Sequence, residues 1–269
     1  MASMIDSMKD HLKEIVFYVP KDLLRPVVAV LWHLGLSQRS FYIYSKLGFP
    51  DVVLQGPFKG MKYLPSSVCS AILPKYLGTY EKELWSAIEK LRDKHPDIVL
   101  DVGSAEGFYG VGLTILLQPN STHCFDIDRR AIRLLCKNAE LNDVSKKIKA
   151  HHGCSVKDLE DLLCQAKNPV VKMDVEGCED ELLDPIPIPS LRKAEIIVEV
   201  HEGLRPGMFR RLEERFSTTH LIQRLQPLER SVHDLPPHVT MSLDDLGFAM
   251  DEAHSTEVGW YIMHPRGQN

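Results

Sequence analysis

From Pro96 onward, short apolar runs alternate with segments of helical period, and this alternation limits the possible folds more than any other feature of the chain. The runs cover residues 98–102, 122–125, 148–152, 170–173 and 196–200. Helical stretches lie between them at about 107–117, 129–141, 156–164 and, more briefly, 179–183. Strands this short and this uniformly apolar are buried on both faces, so the rhythm predicts a doubly wound α/β fold with a mostly parallel sheet. A further helix at 206–216 leads to a strand near 220–225. A last apolar run at 259–264 is expected to enter antiparallel at the sheet edge, and 227–257 reads as an irregular connection overhanging a site.

The first third reads differently. Ile5, Met8, Leu12 and Ile15 recur at helical spacing, Pro26 suits the first turn of a helix ending at Gly35, and 37–65 looks irregular. A stronger helix is expected at 79–93, capped by Gly78 or Thr79. The reading is therefore two parts: residues 1–95 as a mainly helical extension or lid, and 96–269 as the α/β core. The most hydrophobic stretch, 23–36, is broken by Arg25, Pro26 and His33 and is too short for a bilayer span. The six cysteines form no C-x-x-C pair, which argues against a zinc ribbon and for reduced thiols in a cytoplasmic protein. A net charge of −5 argues against a general nucleic-acid binder, although it leaves room for a local basic groove. No membrane partner is expected.

The first core strand runs into Asp101-Val102-Gly103-Ser104-Ala105-Glu106-Gly107-Phe108-Tyr109-Gly110. In doubly wound sheets, ligands bind beyond the carboxyl ends of the strands, where strand order reverses. Asp126 ends the second strand, 23 residues after Gly103, where an acid can accept hydrogen bonds from both hydroxyls of a ribose. Asp128 is assigned as the cap of the next helix. The glycine spacing is not that of a dinucleotide fingerprint, and no phosphate-binding G-K-[ST] follows a strand. Asp101 and Glu106 would repel a pyrophosphate, whereas an ammonium and a sulfonium would be attracted. This charge argument favours S-adenosylmethionine over NAD.

These residues carry a resemblance. The turn is similar to the first cofactor motif of class I methyltransferases, and Lys172-Met173-Asp174-Val175-Glu176-Gly177-Cys178-Glu179 resembles the signature of the FkbM-like family. The resemblance covers about 97–201. It implies a Rossmann-like seven-stranded sheet with an antiparallel last strand, and methyl transfer usually to oxygen. It further implies that Asp101, Gly103, Glu106 and Gly107 line the methionine end of the cofactor, that Asp126 binds ribose, that Gly153, Cys154 and Ser155 lie against adenine, and that Ser104 and Ile127 belong to the same cofactor site. Tyr109 and, from the segment before the core, Glu81 are further cofactor candidates.

Methyl transfer needs an acceptor held in line with the methyl carbon and, for a hydroxyl, a place for its proton. Asp174 and Glu176 alternate at the exit of the fourth strand, and Glu199 and His201 at the end of the fifth, so each pair shares a side. Asp174, His201 and Lys172 are the catalytic candidates. Asp174, Glu199 and His201 also have the chemistry to hold Mg²⁺ or another divalent ion. Lys172 reads equally as an ion-pair partner, and His151 and His152 as structural. The expected function is O-methylation of a small-molecule acceptor such as a sugar or phenol, with no nucleic acid involved. N-methylation of a macromolecule and non-catalytic cofactor binding are the alternatives.

Overall fold

A computed structural model describes residues 38–48, 50–68, 70–252 and 257–267. The helices expected within 5–35 lie outside these residues.

Seven strands form one sheet: β1 (Ile98–Val102), β2 (Ser121–Asp126), β3 (Ile148–His152), β4 (Pro169–Met173), β5 (Glu195–His201), β6 (His220–Leu225) and β7 (Val258–Pro265). Their spatial order is β3-β2-β1-β4-β5-β7-β6. Neighbours pair in parallel from β3 to β5, while β7 runs antiparallel to both β5 and β6. This is the Rossmann-like arrangement with six strands in one direction and β7 opposed. One expectation is corrected: the last strand is not at the edge. β7 is buried over its first six residues and belongs inside the sheet, whereas β6 alternates exposed and covered positions and forms the border.

Nine helices occur among the described residues: α1 (Gln38–Lys46), α2 (Ile72–Leu77), α3 (Trp85–Lys90), α4 (Phe108–Leu117), α5 (Arg129–Leu141), α6 (Val156–Leu163), α7 (Glu179–Leu182), α8 (Met208–Phe216) and α9 (Leu243–Ala249). They divide the apolar core in two. One face of the sheet, with Val99, Val170, Ile197 and Ile262, packs against α4, α5, α9 and the segments from Ile43 to Leu91. The other, with Leu100, Val171, Ile196 and Val198, packs against α6, α8 and the stretch from Leu183 to Ala194. The chain before Pro96 is thus a layer of the first core.

Three local features depart from the sequence reading. The two stretches read as irregular, 37–65 and 227–257, contain α1 and α9 respectively. The helix expected at 79–93 is broken into a 3₁₀ turn (Lys82–Leu84), α3 and a second 3₁₀ turn (Leu91–Lys94). Its entry is displaced because Glu81 is left-handed, with φ 44° and ψ 48°, a conformation costly outside glycine. Finally, α2 was not anticipated. It carries Pro74 inside a six-residue helix that ends in a left-handed Gly78.

Candidate functional site

The turn after β1 lies against the exit of β4. A Cβ on Gly103 (φ +81°) would stand 1.6 Å from the Asp174 carbonyl oxygen, so only glycine fits there. The backbone N–H groups of Gly103 and Ser104 both donate to Phe125 O, each at 2.9 Å. Asp126 completes the turn: its Oδ2 accepts from Ala105 N at 2.8 Å and its Oδ1 from Asp128 N at 2.7 Å. Asp126 is only half-buried, and Asp128 caps α5 as expected. Beside it Ile127 is 83% exposed at the strand tip. Gly153, after β3, donates to Asp126 O and has open space where a Cβ would project. Cys154 is half-buried, its thiol pushed up to about 12 by burial. The Ser155 side chain is engaged in the capping box of α6 with Asp158.

Deeper in, strand register assembles a polar row on the face that carries the N-terminal layer. Asp101 lies opposite Lys172, and Glu199 opposite Trp260. Neither carboxylate oxygen of Asp101 finds a hydrogen-bond partner although the residue is fully buried. Burial pushes its carboxyl up to about 6; the Lys172 charge works against this and the Asp174 charge adds to it. Lys172 is buried with its ammonium 3.4 Å from Asp174 and 4.6 Å from the centre of the Tyr109 ring. Burial would lower it, but Asp174, Glu81, Asp101 and Glu199 hold it above the ordinary lysine value. Held among four acids, Lys172 stands as the ion-pair partner that was one of its two sequence-based readings.

Glu81 enters this row from above. Its carboxylate accepts from the Tyr109 hydroxyl, and its backbone N–H donates to Glu252 at 3.0 Å. Arg230 braces the arrangement: it forks onto both oxygens of Glu83 at 2.7–2.8 Å, binds Glu252 at 2.8 Å and reaches Thr79 O. Two segments distant in sequence, 79–83 and 230–252, are thereby fastened over the carboxyl ends of the strands.

At the rim His201 links four acids. Its Nδ1 lies 2.7 Å from Glu179, and its Nε2 lies 3.3 Å from Glu176, 3.8 Å from Asp174 and 4.0 Å from Glu199. Burial alone would lower the imidazole. The Glu179 hydrogen bond and the Glu179, Asp174 and Glu199 charges outweigh it and push it up to about 9. These acids favour the charged ring, so His201 acting as a base would first have to give up that proton. Glu179 was quoted within the signature but given no role. Fully buried, it accepts from Gly177 N at 3.1 Å as well as holding His201, and its Oε2 has no partner. The spacing of Glu179 and His201, 22 residues apart on different elements, carries no signal of their contact.

Glu106 lies elsewhere. Its carboxylate accepts from Lys75, the Tyr63 hydroxyl, Ser67 Oγ at 2.9 Å and Val68 N at 2.8 Å, all from the N-terminal layer. Despite burial, Lys75 and these donors hold its carboxyl below the usual range. Of the two acids in the sequence-based charge argument, only Asp101 is left without a hydrogen-bond partner.

No family model matches the sequence, and no curated protein matches it. Solved structures do. One is the O-methyltransferase from Bacillus cereus in complex with SAH, at 14% identity, covering 66% of this chain and 77% of that one, with a TM-score of 0.45. Another is the O-methyltransferase TomG from Streptomyces achromogenes, in complex with SAM, at 13% identity, covering 67% and 78%, TM-score 0.48. A third is an rRNA methylase from Streptococcus thermophilus, at 10% identity, covering 68% and 95%, TM-score 0.47. Likenesses this distant fix neither the cofactor nor the acceptor of this chain.

Proposed function

We propose that this chain is an S-adenosylmethionine-dependent methyltransferase acting on a hydroxyl group. The observation that carries the reading is Asp101: a buried carboxylate with no hydrogen-bond partner, directly beneath the glycine turn. Such a group is costly unless a cation answers it, and the one beside it, Lys172, is shared with Asp174, Glu81 and Glu199. A ligand with an ammonium and a sulfonium supplies one; a pyrophosphate does not. The open space at Gly153 suits the flat face of an adenine, and Asp126, with Ile127 exposed beside it, stands where ribose hydroxyls would reach it.

In this reading Asp101, Gly103, Ser104, Gly107, Tyr109 and Glu81 surround the methionine end, Asp126 and Ile127 the ribose side, and Gly153, Cys154 and Ser155 the adenine. Glu106 acts at one remove, by holding the turn against the N-terminal layer. The cofactor supplies an electrophilic methyl carbon with a good leaving group. Asp174, at the exit of β4, orients the acceptor hydroxyl and takes its proton, while Lys172 and His201 hold that carboxylate in place.

A second arrangement is favoured by the carboxylates about His201, whose Nε2 lies 3.3–4.0 Å from Glu176, Asp174 and Glu199 and whose Nδ1 lies 2.7 Å from Glu179. Glu179, rather than Glu199, joins Asp174 and His201 in bringing one ligand atom each within 4.8 Å of one another, and a divalent ion held there would take the place of a proton on His201 and lower the pKa of the acceptor hydroxyl. Activity untouched by chelation would remove this arrangement and leave the methyltransferase reading standing.

The deciding test is calorimetric binding of S-adenosylhomocysteine and, separately, NAD, to the full chain and to Asp126→Ala. Binding of S-adenosylhomocysteine alone, weakened about tenfold or more by Asp126→Ala, is expected from the loss of a charge-assisted ribose contact. Preference for NAD, or no binding, ends the methyltransferase reading.

A further inference from the structure

The net charge of −5 conceals a strongly basic side. Between Arg129 and His152 the chain carries seven lysines and arginines against two acids. The structure gathers most of them on one flank. Arg129, Arg133 and Lys137 are exposed and follow one another at i, i+4 spacing along α5, with Arg130 beside them at its start. Helix α5 packs against β3, the border strand, and Lys146 and Lys147 lie in the connection between the two, while Lys149 projects from the other face of β3 beside His123. Lys62 joins at the far end, where its backbone exchanges hydrogen bonds with Asn142 at 2.7 and 2.9 Å.

The arrangement runs against the helix's own stability. Helix α5 has no acid in its first turn and no base in its last, the reverse of what the helix dipole favours. Each i, i+4 pair of like charges costs a further ~0.2–0.5 kcal/mol. Arg129, Arg133, Lys137, Lys146 and Lys149 make no ion pair among the described residues. Lysines on a border strand guard against edge pairing, but that does not account for three cations along the helix beside it.

We propose that this flank docks an RNA strand. The cations form a line: α5 has 13 residues and is about 20 Å long, with charges about 6 Å apart along its axis, suited to successive phosphates rather than to one small anion. A lipid surface fits less well, because among the described residues Ile127 is the one large apolar side chain strongly exposed beside the line. The line begins at the Asp126 end of the site, so a strand lying on it leads to the proposed cofactor. The choice of RNA over DNA rests on the hydroxyl-acceptor reading above, since RNA brings a 2′-hydroxyl at every nucleotide. The docking does not rest on that reading and is measured without cofactor.

The test is fluorescence anisotropy of a labelled 20-nucleotide single-stranded RNA with the full chain, between 50 and 200 mM salt. The variants are Arg129→Gln/Arg133→Gln/Lys137→Gln and a control of equal charge change, Lys90→Gln/Arg92→Gln/Arg210→Gln. These positions are exposed, so circular dichroism should show both variants folded. The wild type should bind with a steep salt dependence. The first variant should bind about tenfold or more weakly and lose about 2 from the slope of log K against log salt, at ~0.7 per phosphate contact. The control should behave as wild type. No RNA binding at 50 mM salt, equal losses in both variants, tighter binding of the matching DNA, or binding only to phosphatidylglycerol vesicles would each overturn the proposal. Absence of S-adenosylhomocysteine binding together with RNA binding would instead retire the methyl-transfer reading and leave the docking surface.

Discussion

Replacing Glu179 by Gln should change how the stability of this protein depends on pH, and the size of the change follows from His201. The imidazole is raised from an ordinary 6.5 to about 9 in the folded chain, and it is only 6% exposed. At ~1.36 kcal/mol per unit, that difference is worth on the order of 3 kcal/mol. A group whose folded pKa is raised stabilises the fold fully below its unfolded value, and the contribution disappears as pH climbs through the folded value. Wild type should therefore lose about 3 kcal/mol between pH 6.5 and 9 from this residue. Gln at 179 keeps the shape but withdraws both the hydrogen-bonded charge and the largest upward influence on the ring. In Glu179→Gln, His201 should titrate well below 9, and the loss between pH 6.5 and 9 should flatten. The assay is urea unfolding at half-unit pH steps with a chelator present, alongside the NMR titration of the His201 ring protons. A wild-type His201 titrating near 6.5, or parallel stability curves for the two proteins, would refute the reasoning.

Other outcomes follow from the same geometry. Asp101→Asn should stabilise the chain by up to about 3 kcal/mol at pH 7.5 and by nothing at pH 3.5, because the raised carboxyl destabilises the fold as pH rises through about 6. The same variant should weaken S-adenosylhomocysteine binding, as calorimetry would register. Lys75→Met and Glu106→Gln should each cost roughly 3–5 kcal/mol in denaturant unfolding by stranding a buried charge, and the double variant less than their sum. Additive losses would mean that the pair is uncoupled. Gly103→Ala should abolish cofactor binding or folding, since its Cβ collides with the Asp174 carbonyl; a crystal structure of a binding-competent Gly103→Ala would contradict this.

The sequence disclosed the sheet because its signal is local. Short, mainly apolar runs such as 98–102 and 170–173, each with a single charged residue, are stable only between two layers, and the helical periods between them determine how they connect. The turn at Gly103, the acid at Asp126 and the cap at Asp128 were legible for the same reason: each acts on backbone within a few residues of itself or at a strand end. The entry of β7 between β5 and β6 was not legible, because an apolar run reports that a strand is covered and not which strands flank it.

Contacts between distant segments were decided only in three dimensions. Glu106 reads in sequence as one more acid of a cofactor turn, yet Lys75, Tyr63 and Ser67 turn it into the anchor of the N-terminal layer. His201 reads in sequence as a base or a metal ligand, yet the Glu179 contact, which favours its charged form, appears only in the fold. Net charge is a sum over the chain, so it could not show that the positive residues collect along α5 and its connection to β3. By itself the sequence determined the α/β core and the backbone of its first turn, since these depend on short-range sterics and apolar period. The tertiary structure decided the charge state of each buried side chain, because that depends on burial and on partners that the chain brings together from far along its length.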